Sequence, residues 1–496
     1  MSNRKPIVVD TTGLIGQIPD TDSAIILSAT FIGNAILIPA ANGAVQIGTS
    51  GNARGICAVD LQQTRLAVTY VASGSYSAVL SGADNRVISQ YSVVCGGQNN
   101  WLDDEYSVIG GGVNNNIYDG STNADGNVIA GGVNNEITGH GCSVGGGQHN
   151  HISKTFAAGV LYSTIAGGLE NSIIGDYCTI GGGYQNTIPV NCGNYNTITG
   201  GYSNTTVAAS TNNGSNVLGG YDNSIQGQYC VVAGGLSNDI VLAAGAIGST
   251  IGGGYNNNIS ESYSTIAGGY ENLIEATYCS IGGGTTNHIH GSDSSYSVIC
   301  GGDRNTITNA AYASILGGAT NSITGDYGSI LGGESNSVTA EHGTCLGAFA
   351  LASNYGQFAQ ASGQFTAVGD AQTSILVARC QTTNATQTEM FLDGSAQRLT
   401  ILEKSTWYYT IKLIGRQTNS DYTVQGYIEE GIIKRDTGGN ATITNHNHSI
   451  AFVNDANWAY AVSADTTNQA LAIKVTGKAS ENISWVARIE LVQVTG

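Results

Sequence analysis

Charge is what this chain has least of. Only 10% of its 496 residues are Asp, Glu, Lys or Arg, and 17 basic side chains face 35 acidic ones, a formal net charge of -18. So few cations cannot displace the counterions of a phosphate backbone, which excludes nucleic acid as a partner. The same shortage disfavours an anionic membrane surface. Long apolar runs are absent as well. No stretch of about 18 apolar residues occurs, so no membrane insertion is expected. Proline is scarce, with 4 residues, and the 71 glycines do not recur at every third position, which excludes collagen. None of the ten cysteines forms a C-x-x-C pair, so a zinc or redox motif is not expected. The opening MSNRKPIVVDTTG lacks the apolar segment of a secretory signal, giving the expectation of synthesis in a cytoplasm. At 41% hydrophobic residues, the chain is nonetheless rich enough in apolar side chains to fold.

What is there is a repeat. Tyr263–Ile274 reads YSTIAGGYENLI, and close variants start at Tyr76, Tyr106, Tyr177, Tyr278 and Tyr327. The core of the repeat is Gly-Gly-x-x-Asn-x-Ile. Its asparagines are Asn85, Asn100, Asn115, Asn135, Asn150, Asn171, Asn186, Asn204, Asn223, Asn238, Asn257, Asn272, Asn287, Asn305, Asn321 and Asn336. The commonest gap is 15 residues and none is shorter. A fixed period of this kind signals stacked repeats. Ser264 and Ile266 share one face of a short strand; Asn272 and Ile274 share the inward face of a second. The Gly pair turns the chain between them. One coil is therefore two strands and two turns, a β-solenoid with the asparagines as a structural ladder. Sixteen rungs at about 4.8 Å each give a rod of roughly 75 Å. Extra residues always follow the second strand, at Tyr118–Asn127, Ser153–Leu161, Val207–Asn216, Val241–Ser249 and His290–Ser295. Cys142, Cys178, Cys230 and Cys279 precede the first strand as small buried hydrophobes. Tyr184, Tyr202, Tyr221, Tyr255 and Tyr270 follow the Gly pair and read as an aromatic stacking ladder rather than a sugar-binding stripe.

The flanks differ. Residues 1–73 do not repeat and read as a small β capping or docking module, since an open coil end exposes an unpaired strand edge. Residues 74–344 form the solenoid shaft, and 345–370 a tighter β-roll transition. Residues 371–496 hold about ten short alternating runs, which predicts an antiparallel, jelly-roll-like β-sandwich. The expected class is all-β. So thin a core calls for association, and a homotrimer is expected.

Chemistry is sparse. There is no P-loop, no G-x-S-x-G and no H-E-x-x-H. A glycan hydrolase needs two carboxylates about 5–9.5 Å apart. The coil carboxylates Glu170, Asp176, Glu271, Glu275, Asp326 and Glu334 are scattered, and the expectation is a chain that is not an enzyme. His446 and His448 fall on one face of a strand, where a metal is conceivable if three chains meet, with no other cofactor expected. Receptor contact is expected from the C-terminal loops: Tyr422, His446, His448, Asp455, Asn457 and Trp458. Trp407 and Trp485 lie in alternating runs and read as core.

These strings resemble those of bacteriophage tail fibres. The Gly-Gly-x-x-Asn coils and the Asn52–Arg65 and Ala72–Tyr76 lead-in are similar to fibre repeats. Ala348–Gly369 resembles the heads of trimeric adhesins. Ser463–Val494, containing DTTNQALAIKVTG and ISWVARIELVQV, resembles a β domain that closes many tail fibres. The resemblance implies a homotrimer in the virion, joined to a tail or baseplate protein by its N-terminus. The C-terminus would then contact a host surface glycan or protein and mediate host attachment. The His-x-His pair resembles fibre tips that hold iron. A tailspike-type depolymerase of host glycan and a fibre of a phage-related contractile injection system are the alternatives. A signal sequence, a membrane-anchor barrel and a self-cleaving chaperone have no visible counterpart.

Overall fold

The computed structural model describes residues 7–9, 15–17, 45–46, 52–62, 64–118, 126–153, 160–189, 193–206, 214–241, 247–419, 423–452 and 454–496. Every regular element among them is a β-strand. The chain divides into two units, Met1–Leu236 and Ser237–Gly496.

The repeat folds as coils. In the second unit, Thr265–Ile266 pairs in parallel with Thr250–Ile251 and with Ser280–Ile281. Leu273–Ile274 pairs likewise with Asn258–Ile259 and with His288–Ile289. Each coil buries little: Ser264, Ile266, Asn272 and Ile274 are fully inaccessible. Two branched side chains are too small a core without the polar bonds between them. Asn272 supplies these, its Nδ2 donating to Asn257 Oδ1, Gly268 O and Gly284 O, each at 3.0 Å. The same amide-to-amide bonding links Asn85 through Asn223 in the first unit, except that Asn204 reaches Asn186 Oδ1 through its backbone N–H. It links Asn238 through Asn336 in the second.

A hydroxyl row runs beside it. Ser264 Oγ accepts from Cys279 N and donates to Ala276 O. Cys142, Cys178, Cys230 and Cys279 are buried in this row, and the described cysteines are free thiols. Burial pushes the Cys142 thiol up to about 11, so it stays protonated and packs as a small hydrophobe.

The turns carry strain. Gly284 sits at φ +92°, and a Cβ there would lie 2.1 Å from Gly302 O. In most coils two residues that are not glycine also adopt left-handed backbone, such as Tyr278 (φ 58°) and Thr286 (φ 53°). Each costs about 1–2 kcal/mol relative to right-handed backbone.

Coil pairing reaches back to Val59–Asp60, which pairs in parallel with Val45–Gln46 and Ala78–Val79. Buried Asp60 there accepts from both Arg54 and Arg65. Near the N-terminus Ile7–Val9 and Ile15–Gln17 form an antiparallel pair. The rest of residues 1–51 lies outside the described residues, as does most of four of the five insertions.

Parallel pairing ends at Phe358–Ser362, which pairs in parallel with Thr344–Ala348 but antiparallel with Ala371–Thr382. The large sheet continues from Ala371–Thr382 through Ile483–Thr495, Ser405–Gln417 and Val424–Arg435 to Thr442–Phe452, all antiparallel. A small sheet centred on Ala470–Thr476 covers one of its faces. Between them lie Leu376, Trp407, Tyr409, Trp485 and Ile489 from one side and Met390, Leu471 and Ile473 from the other.

These strands are longer than the sequence predicts. Glu429-Glu430-Gly431 reads as a break, yet Val424–Arg435 runs straight through it. Gly431 does not turn; it clears room for Tyr409, whose hydroxyl would lie 2.4 Å from an added Cβ.

Candidate functional site

Two regions gather polar side chains. In the C-terminal domain, Thr442–Phe452 pairs with Val424–Arg435 and places His448 opposite Glu429. His446 Nδ1 lies 3.0 Å from Glu429 Oε1, and Tyr460 donates its hydroxyl to Oε2 at 2.8 Å. The Glu429 side chain is 4% exposed and that of His446 59%. A buried carboxylate thus holds one nitrogen of a largely exposed imidazole. Burial, then Glu429, holds the Tyr460 hydroxyl well above the ordinary phenol range. The sequence reading missed Glu429 and Tyr460, because their partners lie 17 and 31 residues away. Among the described residues no three His, Cys, Asp or Glu side chains assemble as a metal site. The metal anticipated at His446 and His448 therefore requires ligands from other copies of the chain.

The remaining C-terminal candidates separate. Asp455 accepts from Lys478 Nζ at 2.9 Å and from the backbone and side chain of exposed Asn457. The Lys478 bond, followed by the Asn457 backbone, holds the Asp455 carboxyl down to about 2. Trp458 is not available to a receptor, which corrects the expectation. It is 2% exposed, packs edge-on against Trp485 at 5.3 Å and donates Nε1 to Glu481. Its polar neighbours Asp455 and Asn457 disguised a core residue as a loop residue. Trp407 and Trp485 are core residues. Tyr422 lies outside the described residues.

In the coils, tyrosines stack rung upon rung. Tyr278, Tyr296, Tyr312 and Tyr327 follow one another at 4.9–5.1 Å between ring centroids. Tyr202 lies 5.0 Å from Tyr184 and 4.8 Å from Tyr221, and Tyr255 lies 5.2 Å from Tyr270. A ring flanked on both sides presents its edge, so these ladders are poor platforms for a sugar face. Glu170 is taken by Gln185 Nε2 and Asp326 by Ala311 N. Glu271 and Glu275 both act on His288, but burial, then His290, outweighs them and lowers its basicity.

The second region is a groove on the first unit. Arg86, Trp101 and Asn116 stand in register on successive rungs, at the outward position of the second strand. With Asp84, Asn99 and Asn114 they line a cavity of about 300 Å³. Sequence reading overlooked this row, because its members lie 15 residues apart and meet only when coils stack.

No protein-family model and no curated protein sequence matches the chain. Solved structures do. One is a tailspike protein, gp49 of Acinetobacter baumannii bacteriophage Fri1, described as a capsular polysaccharide depolymerase. It is 9% identical, with 88% of this chain and 79% of that chain covered, at a TM-score of 0.26. Another is the tailspike protein of Acinetobacter phage vB_ApiP_P1, 8% identical, covering 88% and 82%, at a TM-score of 0.18. Scores this low transfer no residue role. The expectation that the chain is not an enzyme is nonetheless withdrawn, because a named depolymerase stands among the solved neighbours.

Proposed function

We propose that this chain is a bacteriophage tail protein of the tailspike kind, a virion component that binds and shortens polysaccharide on the host surface. The observation that supports the reading most is the pairing of two features in one chain. Hydrogen-bonded coils built on the Gly-Gly-x-x-Asn-x-Ile string lead into an antiparallel β domain built from the Ser463–Val494 text that resembles fibre ends. The coil's asparagines and glycines are consumed by stacking, which leaves side faces and the terminal domain for recognition. We assign no residue to catalysis. Incubating the protein with host capsular polysaccharide tests the reading. Shortened chains with new reducing ends are the expected result. Binding without shortening supports the receptor-binding fibre instead, and neither binding nor shortening overturns both.

The proposed assembly is a homotrimer. The uncovered face of the large sheet carries Ile375, Val377, Ile414, Val486 and Val492, each more than a third exposed. Lys412, Arg488 and Glu490 run between them. A face with apolar rows and both signs of charge complements itself, so the occupant proposed is another copy of the chain. Sedimentation of wild type against Ile414→Asp is the check: a trimer in the first and monomer in the second. An equally trimeric variant removes this face from the interface.

A further inference from the structure

The groove of the first unit holds two unsatisfied polar atoms. Arg86 Nε is buried without a hydrogen-bond partner, and so is Asn116 Oδ1. The Arg86 guanidinium lies over the Trp101 ring, 5.1 Å from its centroid. Among the described residues no carboxylate pairs with it, although Arg54 and Arg65 both reach Asp60. An orphaned buried donor or acceptor costs about 1–3 kcal/mol, and more when charged. Here the residues that carry this donor and this acceptor line one cavity, three rungs deep, in a chain of net charge -18.

The rest of the wall is made for hydroxyls. Asn99 Nδ2 donates to Asn114 Oδ1 at 2.7 Å, fixing both amides with one hydrogen and lone pairs to spare. Asp84, also on the lining, spends one oxygen on Leu66 N. Tyr70 closes one side. Arg86 covers Trp101, and Tyr118 lies beside the indole at 6.2 Å, tilted by 52°. A ligand is therefore read by hydrogen bonds and one cation, not by stacking on an open ring.

We propose that this groove binds an acidic saccharide unit, its carboxylate taken by Arg86 and one of its hydroxyls donating to Asn116 Oδ1. The proposal rests on the reading that the chain engages polysaccharide, and it places acidic-sugar selectivity on the side of the coils. A free inorganic anion would satisfy Arg86 but leave Asn116 without a donor. A nucleic acid would bring more negative charge than one arginine offsets.

The protein carries its own reporter. Of four tryptophans, Trp101 is 38% exposed, whereas Trp407, Trp458 and Trp485 are at most 3% exposed. The experiment titrates the full chain with a glucuronate-containing oligosaccharide and with its carboxyl-reduced, neutral counterpart, following tryptophan emission and calorimetric heat. The acidic ligand is expected to bind at least tenfold more tightly and to shift the emission. Arg86→Gln should abolish that preference, Arg86→Lys should keep part of it, and Asn116→Ala should weaken both ligands. Ser172→Ala, on the same row two coils beyond Glu136, should change nothing. Circular dichroism and thermal melting of each variant separate lost binding from lost folding. Equal affinity for the two ligands overturns the proposal, as does undiminished preference in folded Arg86→Gln or no binding at all. Capsule shortening measured on the same variants keeps the two readings apart. If Arg86→Gln still shortens capsule at full rate while wild type shows no acidic preference, the groove proposal fails and the polysaccharide reading stands.

Discussion

Asn272 gives its backbone N–H and a side-chain hydrogen to a single oxygen, Oδ1 of Asn257, at 3.1 and 3.0 Å. One residue thereby ties both the strand and its own amide to the rung before.

Replacing that amide tests the ladder. Asn272→Ala leaves Asn257 Oδ1 with the backbone bond alone and should cost about 2 kcal/mol. Asn272→Asp is nearly the same shape but points a carboxylate at Asn257 Oδ1, Gly268 O and Gly284 O. It should cost about 4 kcal/mol, more than the smaller side chain. Hydrogen exchange of the Asn257–Asn287 amides measures both; an alanine variant as damaging as the aspartate would show that packing, not bonding, holds the rung.

The turn before the ladder offers a stabilising change. Thr286 is β-branched and left-handed at φ 53°. Asn99, Asn114, Asn134 and Asn256 occupy the equivalent position in other coils at φ 53–57°. Asparagine tolerates that backbone better. Thr286→Asn should add about 1 kcal/mol, visible as slower exchange of neighbouring amides. A loss of protection would mean that the threonine side chain makes up for its backbone.

In the terminal domain Tyr409 is fully buried, and its hydroxyl has no partner among the described residues. Tyr409→Phe should therefore be neutral or stabilising by up to about 1 kcal/mol, whereas Trp485→Ala should cost about 3–5 kcal/mol. Urea melts of the two variants are the comparison. A phenylalanine variant that melts well below wild type would reveal a bond to the hydroxyl.

Acid should loosen the loop at Asp455. Its carboxyl is held down to about 2, first by Lys478 and then by the Asn457 backbone. A depressed carboxyl stabilises the fold fully above its unfolded value of about 3.9, and that contribution is lost as pH falls through about 2. The melting temperature of wild type should thus fall more steeply between pH 4 and pH 2 than that of Asp455→Asn. Parallel curves would assign the acid sensitivity elsewhere.

What the sequence made legible was whatever recurs. The Gly-Gly-x-x-Asn spacing reveals the coil because each rung must solve one bonding problem with the same residues. Trp407 and Trp485 are readable as core because they alternate with polar neighbours along strands. Trp458 is not, since the turn before it is polar and its burial is decided by Trp485, 27 positions on. Nor is the Arg86–Trp101–Asn116 row, whose members lie 15 residues apart and meet only once coils stack.

Every rung of the asparagine ladder receives from its neighbour what it hands to the next. A coil could therefore be duplicated or deleted whole without leaving a broken bond on either side. The number of rungs becomes a quantity that unequal crossing-over can adjust one coil at a time, while the sequences at the ends stay as they are.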